Sequence, residues 1–144
     1  MKIKQLGHVV VRVTDLARAE AFYAGVLGLP VVARLDQGGA KMAFFSLGNH
    51  HDFAVMEAGP GAATQSGPGL HHVAFKIGDS LEELREARAV LEAAGVRTVP
   101  MDHEVTKSLY MADPDGNGVE LYVDASDVWR ADPQRVAQIA PLAL

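Results

Sequence analysis

The sequence contains six histidines and no cysteine, so imidazole and carboxylate groups are the side chains available for metal or acid–base chemistry. Thiolate metal sites, disulfides and cysteine nucleophiles are excluded. His8 and His72 lie near the start of two apolar segments, LGHVVVRV and LHHVAFKI, and Glu120 lies within a third, VELYV. Two neutral imidazoles and one carboxylate on rigid strands form a three-ligand set for a divalent metal. Such a set leaves positions open for water, substrate or oxygen.

Alternation along a strand supports the choice of Glu120. In VELYV, Glu120 and Tyr122 face one side, whereas the valine and leucine side chains face the other. A carboxylate on the pocket-facing side of a strand requires a partner, and a metal ion is one such partner. Strand histidines are also commonly satisfied by hydrogen bonds, and strand glutamates commonly face solvent. From these residues alone, a metal site and an ordinary structural role both remain open.

The elements that position these residues occur twice, with an offset of 64 residues, which is the separation of His8 and His72. Each copy reads as a strand, a helix and three strands, and each histidine is the third residue of its first predicted strand. The first copy is predicted to have strands over 6–13, 30–35, 40–47 and 52–57, with a helix over 16–28. The second copy is predicted to have strands over 70–77, 96–100, 106–112 and 118–123, with a helix over 81–95.

These elements predict a mixed α+β fold: two tandem βαβββ modules whose sheets curl into a partial barrel around the metal site. We predict one domain over residues 1–144, because half a chain of this length is too small to be stable by itself. Its parts are module one at about 5–58, a linker at 59–69, module two at about 70–124 and a C-terminal tail at 125–144. The tail is predicted to form a short helix, with Trp129 as a packing anchor.

Composition limits the classes of partner. The formal net charge is -5 and no cluster of lysine and arginine is present, which argues against nucleic acid as a partner. No apolar run of about 18 residues occurs, so no membrane span is predicted. The first residues lack the apolar stretch and cleavage site of a signal peptide, and the absence of cysteine fits a reducing compartment. A cytoplasmic protein is therefore predicted.

Two segments resemble a known superfamily. GHVVVRVTDLARAEAFYAGVLGLPVV resembles the opening of the glyoxalase, bleomycin-resistance and extradiol-dioxygenase proteins, also called the vicinal oxygen chelate superfamily. SLYMADPDGNGVELYVD resembles the closing segment of its extradiol branch, the catechol 2,3-dioxygenase-like proteins. The resemblance covers roughly residues 5–124 and implies that His8, His72 and Glu120 are the metal ligands. In the pair His71-His72, the HHxxF pattern of the family favours the second histidine.

The resemblance also implies three catalytic residues. His51, in GNHHDFAV, corresponds to a histidine that takes a proton from the substrate and returns it later. Tyr110 stands ten residues before Glu120, and its hydroxyl is expected to hydrogen-bond a substrate oxygen. His103, in DHEVTKSLY, is expected to stabilise anionic intermediates. Each also has a structural interpretation, as a solvated turn, a core tyrosine and a surface loop respectively.

The implied activity is that of a dioxygenase of the extradiol type, an enzyme that uses Fe(II) and O2 to cleave a catechol-like aromatic diol beside its hydroxyl groups. Mn(II), Ni(II) and Zn(II) also suit the ligand set. The expected partners are a small aromatic diol, O2 and a second copy of the chain in a homodimer. The familiar extradiol enzymes have four modules, whereas this chain has two.

Two alternatives remain. A glyoxalase-I-like isomerase or lyase would use the same metal site with an additional glutamate on the last strand of module one, and Glu57 lies near that place. Alternation puts positions 51, 53, 55 and 57 on one face, so Glu57 is expected to point toward the pocket if His51 does. The other alternative is a metal-free protein of the antibiotic-sequestering type, which traps a small molecule without chemistry.

Overall fold

The computed structural model describes residues 5–48, 50–59 and 70–144. The chain divides into two compact units, residues 1–69 and 70–144, which correspond to modules one and two. Except for Gly59, the predicted linker lies outside the described residues. In the part of the chain that is described, no helix is long and apolar enough to cross a membrane.

Module one contains a four-stranded sheet and one helix. The sheet order is β1-β4-β3-β2, in which β1 and β4 run parallel and the other pairs run antiparallel. Asp15 caps the start of the helix by accepting a hydrogen bond of 2.9 Å from Arg18 N. The elements are β1 (Val9–Val13), α1 (Leu16–Glu20) with a π-helical continuation (Ala21–Val26), β2 (Val31–Gln37), β3 (Ala40–Phe45) and β4 (Phe53–Glu57).

The helix of module one packs against one face of this sheet through aromatic side chains. Tyr23 is fully buried, with ring centroids 4.7 Å from Phe53 and 6.1 Å from Phe45. The single α-helix predicted over 16–28 changes after Glu20 to the wider π form, with Leu27 N donating to Phe22 O at 3.0 Å. Side-chain periodicity does not distinguish this local widening from a regular helix.

Module two repeats the pattern with a longer helix. The sheet order is β5-β8-β7-β6-β9, with β5 and β8 parallel and every other pair antiparallel. Ser80 and Glu83 form a reciprocal capping box at the start of the helix. The elements are β5 (His72–Gly78), α2 (Leu81–Ala93), β6 (Val99–Asp102), β7 (Thr106–Ala112), β8 (Gly118–Asp124) and β9 (Ala140–Pro141).

Three strands begin later than predicted, because of the backbone hydrogen bonds available at their starts. The partner strand β4 begins at Phe53 and β8 begins at Gly118, so β1 and β5 have no ladder to join before Val9 and His72. His8 therefore precedes its strand and His72 is the first residue of its strand, whereas both were predicted as third residues. The strand predicted over 96–100 starts at Val99, because Val96 N closes the helix end by donating to Leu91 O at 2.8 Å.

The tail differs from its prediction. In place of one helix it has two short 3-10 turns, Val128–Arg130 and Pro133–Ala137, followed by β9. Trp129 is 41% exposed and contacts the Arg130 guanidinium, so it does not anchor the tail in a core. The tail is held instead by pairing of β9 with β6. With this correction, the mixed α+β fold of two βαβββ modules is confirmed, with open sheets of four and five strands.

Candidate metal and catalytic site

Glu120 occupies the centre of a row of residues across the sheet of module two. It pairs with Ala74 on β5 and with Tyr110 on β7, so these three side chains share one face. Its neighbours Val119 and Leu121 point to the other face, where α2 packs. Glu120 is only 6% exposed, so its carboxylate has lost most of its water and requires a polar or cationic partner.

His72 supplies that partner within the module. It pairs with Gly118, two residues before Glu120 on the neighbouring strand, and therefore lies on the same face. Its Nε2 is 3.1 Å from Glu120 Oε2. This spacing suits a hydrogen bond, and it also suits neighbouring ligands of an octahedral ion, which lie roughly 3 Å apart when the bonds are about 2.1 Å. An imidazole nitrogen and a carboxylate oxygen are donors that Fe(II), Mn(II), Ni(II) and Zn(II) accept, so the pair fits a divalent metal.

His71, which sequence reasoning set aside as the non-ligand of the pair, orients His72. The two Nδ1 atoms are 2.7 Å apart, so one ring donates a proton to the other. For His72 to bind a metal through Nε2, that proton must lie on Nδ1 of His72, with Nδ1 of His71 as the acceptor. Fixing a ligand's second ring nitrogen in this way is typical of metal-binding histidines. The adjacent HH dipeptide was the available signal, although its strand alternation indicated only that the two rings diverge.

Gly118 allows β8 to lie close to His72 at the start of β5. A Cβ at position 118 would collide with the carbonyl oxygen of His71 and would lie 2.9 Å from the Cβ of His72. The close approach of β5 and β8 at this point therefore requires glycine. A glycine at the first residue of a strand is a signal for such an approach.

Tyr110 and His103 extend the polar group on this face. His103 Nε2 is 3.0 Å from Tyr110 Oη, and the Tyr110 ring stands edge-on to His72 with centroids 5.3 Å apart. Burial raises the pKa of Tyr110 to about 12, and the hydrogen bond and charge of Glu120 contribute to the same rise. Tyr110 is therefore a neutral phenol at neutral pH, able to donate one hydrogen bond.

A pocket of about 480 Å³ opens onto this face of module two. Its wall combines the acid–base groups with apolar side chains, a composition that suits a small, partly apolar ligand. The lining residues are Ala74, His103, Val105, Thr106, Tyr110, Glu120, Tyr122, Asp124 and Val136.

Module one brings His8 and His51 together. Their ring centroids are 4.3 Å apart, and the His51 ring also stacks on His50 and meets the edge of Phe44. Loss of hydration lowers the pKa of His51, and the neighbouring rings of His8 and His50 lower it further, against an opposing effect of Asp52. His51 is thus held as a neutral imidazole at neutral pH, the form that accepts a proton.

Glu57 lies on the other side of the sheet of module one. Alternation along β4 does place Phe53 and Glu57 on one face, but that face packs against α1. Glu57 accepts a hydrogen bond of 3.0 Å from Leu16 N and lies 3.3 Å from Lys41 Nζ, and these two contacts lower its pKa in that order. The expectation that Glu57 would point the same way as His51 is therefore wrong, since His51 lies on the Phe44 face.

The six predicted site residues thus fall into two groups. His72, Glu120, Tyr110 and His103 are linked in module two, and His8 contacts His51 in module one. In neither module taken by itself do three histidine or acidic side chains of the described residues converge closely enough to hold a metal. The three-ligand set remains a prediction, of which the structure contains one preformed pair.

The chain is similar to enzymes of two reaction types. It is 31% identical over 131 residues to the catechol-2,3-dioxygenase of Bacillus subtilis, covering 88% of this chain and 44% of that protein. It is 30% identical over 126 residues to a lactoylglutathione lyase of Neisseria meningitidis, covering 81% of this chain and 88% of that enzyme. The chain therefore spans less than half of the dioxygenase and most of the lyase.

The chain is also similar in fold to a solved structure. A mutant of the fosfomycin resistance protein FosX from Listeria monocytogenes, complexed with Mn(II) and dihydroxypropylphosphonic acid, superposes with a TM-score of 0.70 at 27% identity. The match covers 91% of this chain and all of that one. Residues 5–121 match the family described as the Glyoxalase/Bleomycin resistance protein/Dioxygenase superfamily. With its two βαβββ modules and this match over most of its length, the chain belongs to that superfamily.

Proposed function

We propose that this protein is a metal-dependent dioxygenase of the extradiol type, which cleaves a catechol-like aromatic diol with O2 beside the hydroxyl groups. The observation that carries the proposal is the linked group of His72, Glu120, Tyr110 and His103 in module two, of which Glu120, Tyr110 and His103 line the pocket. The similarity to a catechol-2,3-dioxygenase supports the choice of reaction.

In this proposal His8, His72 and Glu120 hold Fe(II), with Mn(II), Ni(II) or Zn(II) as other possible ions. The bound metal would supply a common site for the two diol oxygens and O2, and a path for electrons from ring to oxygen. The geometry of His72 and Glu120 supports their part, because both donors lie on paired strands with 3.1 Å between the donor atoms. His8 is included as a third ligand because of the sequence resemblance. It is exposed and lies just before β1, outside the strand pairing.

The chain's own residues bind the diol and move its protons. Tyr110 stays protonated at neutral pH, and its oxygen accepts a hydrogen bond from a diol hydroxyl while its own proton is donated to His103 Nε2. His103, whose Nε2 is 3.0 Å from the Tyr110 hydroxyl, stabilises negative charge that develops near the substrate oxygen once Nε2 has taken up a proton. His51 accepts a proton from the diol and returns it to the product. The apolar wall at Ala74 and Val105 accommodates the ring.

A lyase or isomerase of the same superfamily is the second candidate, because the chain spans 88% of a lactoylglutathione lyase. A four-ligand site with Glu57 is disfavoured, since Glu57 is engaged with Leu16 and Lys41 on the α1 side of the sheet. A metal-free binding protein is disfavoured because pure binding does not require the His72–Glu120 pair, whose spacing and donor types suit a divalent metal.

The test begins with protein purified without oxygen, whose bound metal is measured by elemental analysis. Fe(II) and simple catechols are then added under air, and O2 uptake and a yellow ring-opened product are followed. We expect about one iron per chain, stoichiometric O2 uptake and the yellow product. A His51→Ala variant is expected to keep the metal and lose most of the turnover, because His51 is proposed to move protons and not to bind the ion.

Other outcomes discriminate between the candidates. Bound metal without O2 uptake, together with turnover of the hemithioacetal of glutathione and methylglyoxal, would replace the dioxygenase with a lyase. Failure to bind any divalent metal after reconstitution would exclude both and leave a binding protein. Light scattering on the same preparation tests the proposed homodimer.

A further inference from the structure

The backbone at His103 forms an unusual turn. Val105 N donates to His103 O at 2.7 Å, and His103 N donates to Thr106 O at 3.0 Å. Glu104 between them has a φ of 64°, and among the described residues it is the non-glycine residue with a positive φ. A γ-turn with positive φ is rare and strained for a residue with a side chain. Such a turn persists only where neighbouring contacts hold it.

The C-terminal tail makes two contacts with this turn. Arg135 pairs with the Glu104 carboxylate through two nitrogen atoms, with Nε 2.8 Å from Oε2. The backbone carbonyl of Gln138 lies 3.0 Å from His103 Nδ1. Val136 stands between these two tail residues and lines the pocket. We call Arg135 and Gln138 the C-terminal latch.

The latch determines which nitrogen of His103 carries a proton. A carbonyl oxygen can only accept, so its contact with Gln138 requires a proton on His103 Nδ1. In the neutral ring, Nε2 then presents its lone pair to Tyr110 Oη, 3.0 Å away. Tyr110 can therefore donate to His103 while its own oxygen remains available to accept. Without the Gln138 contact, the hydrogen bond to Tyr110 alone is compatible with either tautomer, because a hydroxyl can donate or accept.

We propose that the C-terminal latch is a positioning element for the reaction: Arg135 holds the strained Glu104 turn, and the Gln138 carbonyl sets the tautomer and orientation of His103. The inference rests on the proposed function in that His103 is taken to act beside the substrate. The contacts of Arg135 and Gln138 are with Glu104 and His103, and not with the Tyr110 hydroxyl or Glu120. They act through His103.

The latch contributes mainly local order. An exposed arginine–glutamate pair adds little to global stability, so removing it should leave the free energy of unfolding nearly unchanged. The strained turn is expected to relax instead, and His103 then rotates away from Tyr110. A change at His103 with an unchanged free energy of unfolding would therefore indicate a positioning role and not a general loss of stability.

The experiment compares Arg135→Ala with Arg130→Ala in the full chain. Arg130 is a matched control because it is also in the tail and pairs locally with Asp127. The first readout is the ring 15N spectrum of His103 in metal-free protein, which reports the tautomer. We expect a dominant Nδ1–H form in the wild type and in Arg130→Ala, and a mixture in Arg135→Ala. The second readout is kcat of the iron-loaded enzyme, expected to fall about 10-fold in Arg135→Ala with KM little changed.

A reversed pair, Glu104→Lys with Arg135→Glu, provides the rescue: it should restore the 15N signature that Glu104→Lys alone loses. Unchanged His103 signals in Arg135→Ala would overturn the latch, whatever the activity. Altered signals with an unchanged kcat would overturn its role in the reaction. A wild type that binds no metal or consumes no O2 would refute the proposed function, while the 15N comparison would still decide whether the latch sets the tautomer.

Discussion

The two modules repeat one backbone pattern but place different chemistry at equivalent positions. In module two, Glu120 pairs with Ala74 on one side and Tyr110 on the other. In module one the corresponding row, identified by the same strand pairings, is Ala54 between Val10 and Phe44. A carboxylate and a phenol in one module are thus replaced by a methyl group and a phenyl ring in the other.

This difference shows that the repeated backbone does not repeat its chemistry. The edge-on ring contact survives in both modules, between Tyr110 and His72 in one and between Phe44 and His51 in the other. Among the described residues, only module two has a buried glutamate beside an imidazole, the pair of Glu120 and His72. In module one, His8 and His51 lie in segments just before β1 and β4, outside the strand pairings. The pair on the two paired strands of module two is therefore expected to dominate the affinity for a metal.

The largest effect is expected from Glu120→Gln, which removes the acid that distinguishes the modules and keeps its shape. Metal affinity should fall by more than about 100-fold, because a direct ligand matters at least as much as the outer partners of ligands. Bound iron after dialysis and O2 uptake measure the loss. Glu57→Gln in module one is the matched control and should retain iron. Equal iron loss in both variants would contradict the assignment of Glu120.

Gly118→Ala tests the close approach that places His72. The added Cβ collides with backbone of β5, so we expect both a lower metal content and a loss of about 1–3 kcal/mol in the free energy of unfolding. Urea titration followed by circular dichroism measures the second effect. Gly25→Ala in module one is the control, because its added Cβ meets no atom within 4 Å. A Gly118→Ala variant as stable as the control would show that β5 and β8 can separate without cost.

His71→Ala tests whether His71 orients His72 for metal binding. Loss of the Nδ1 partner of His72 should weaken metal affinity by about 10- to 100-fold while leaving a site that high metal concentrations can fill. Competition with a chromogenic chelator gives the affinity. A His71→Asn variant, which can restore a hydrogen bond, should recover part of it. If His71→Ala binds as tightly as the wild type, the contact between the two rings has no influence on the site.

The smallest effect concerns the helix of module one. Glu57 has a lowered pKa because Leu16 N and Lys41 stabilise its charged form. Its contribution to stability is therefore complete above the ordinary glutamate pKa of 4.5 and is lost as the pH falls through the lower value in the folded protein. Glu57→Gln should be slightly less stable than the wild type at pH 7 and should approach it at acid pH. Thermal unfolding at several pH values measures the difference, and a constant difference would show that the charge is irrelevant.

Alternation and the internal repeat were enough to predict the order of elements and the facing of Glu120, because both depend on side-chain periodicity. Periodicity carries no information on where a neighbouring strand begins, and for that reason His8 and His72 were placed two or three residues too deep in their strands. The helix predicted over 16–28 likewise gave no sign of its π-helical continuation.

The contacts that orient the site were beyond sequence reasoning for a different reason. The ring contact of His71 with His72 and the hold of the tail on His103 depend on rotamers and on backbone carbonyls, which no residue type encodes. Glu57 illustrates the opposite error: its residue type fitted a ligand, but the nearby amide of Leu16 offered its carboxylate another partner.

The parallel pairing of β5 with β8 also bears on when the protein can acquire a metal. His72 is on the first strand of module two and Glu120 on the last of the βαβββ unit, so the two donors meet only after the intervening helix and hairpin are in place. Closing such a long loop is slow, because its entropy is lost before the strand contacts form. A metal held by these two donors would therefore bind only after module two has folded, and it would slow unfolding with little effect on the rate of folding.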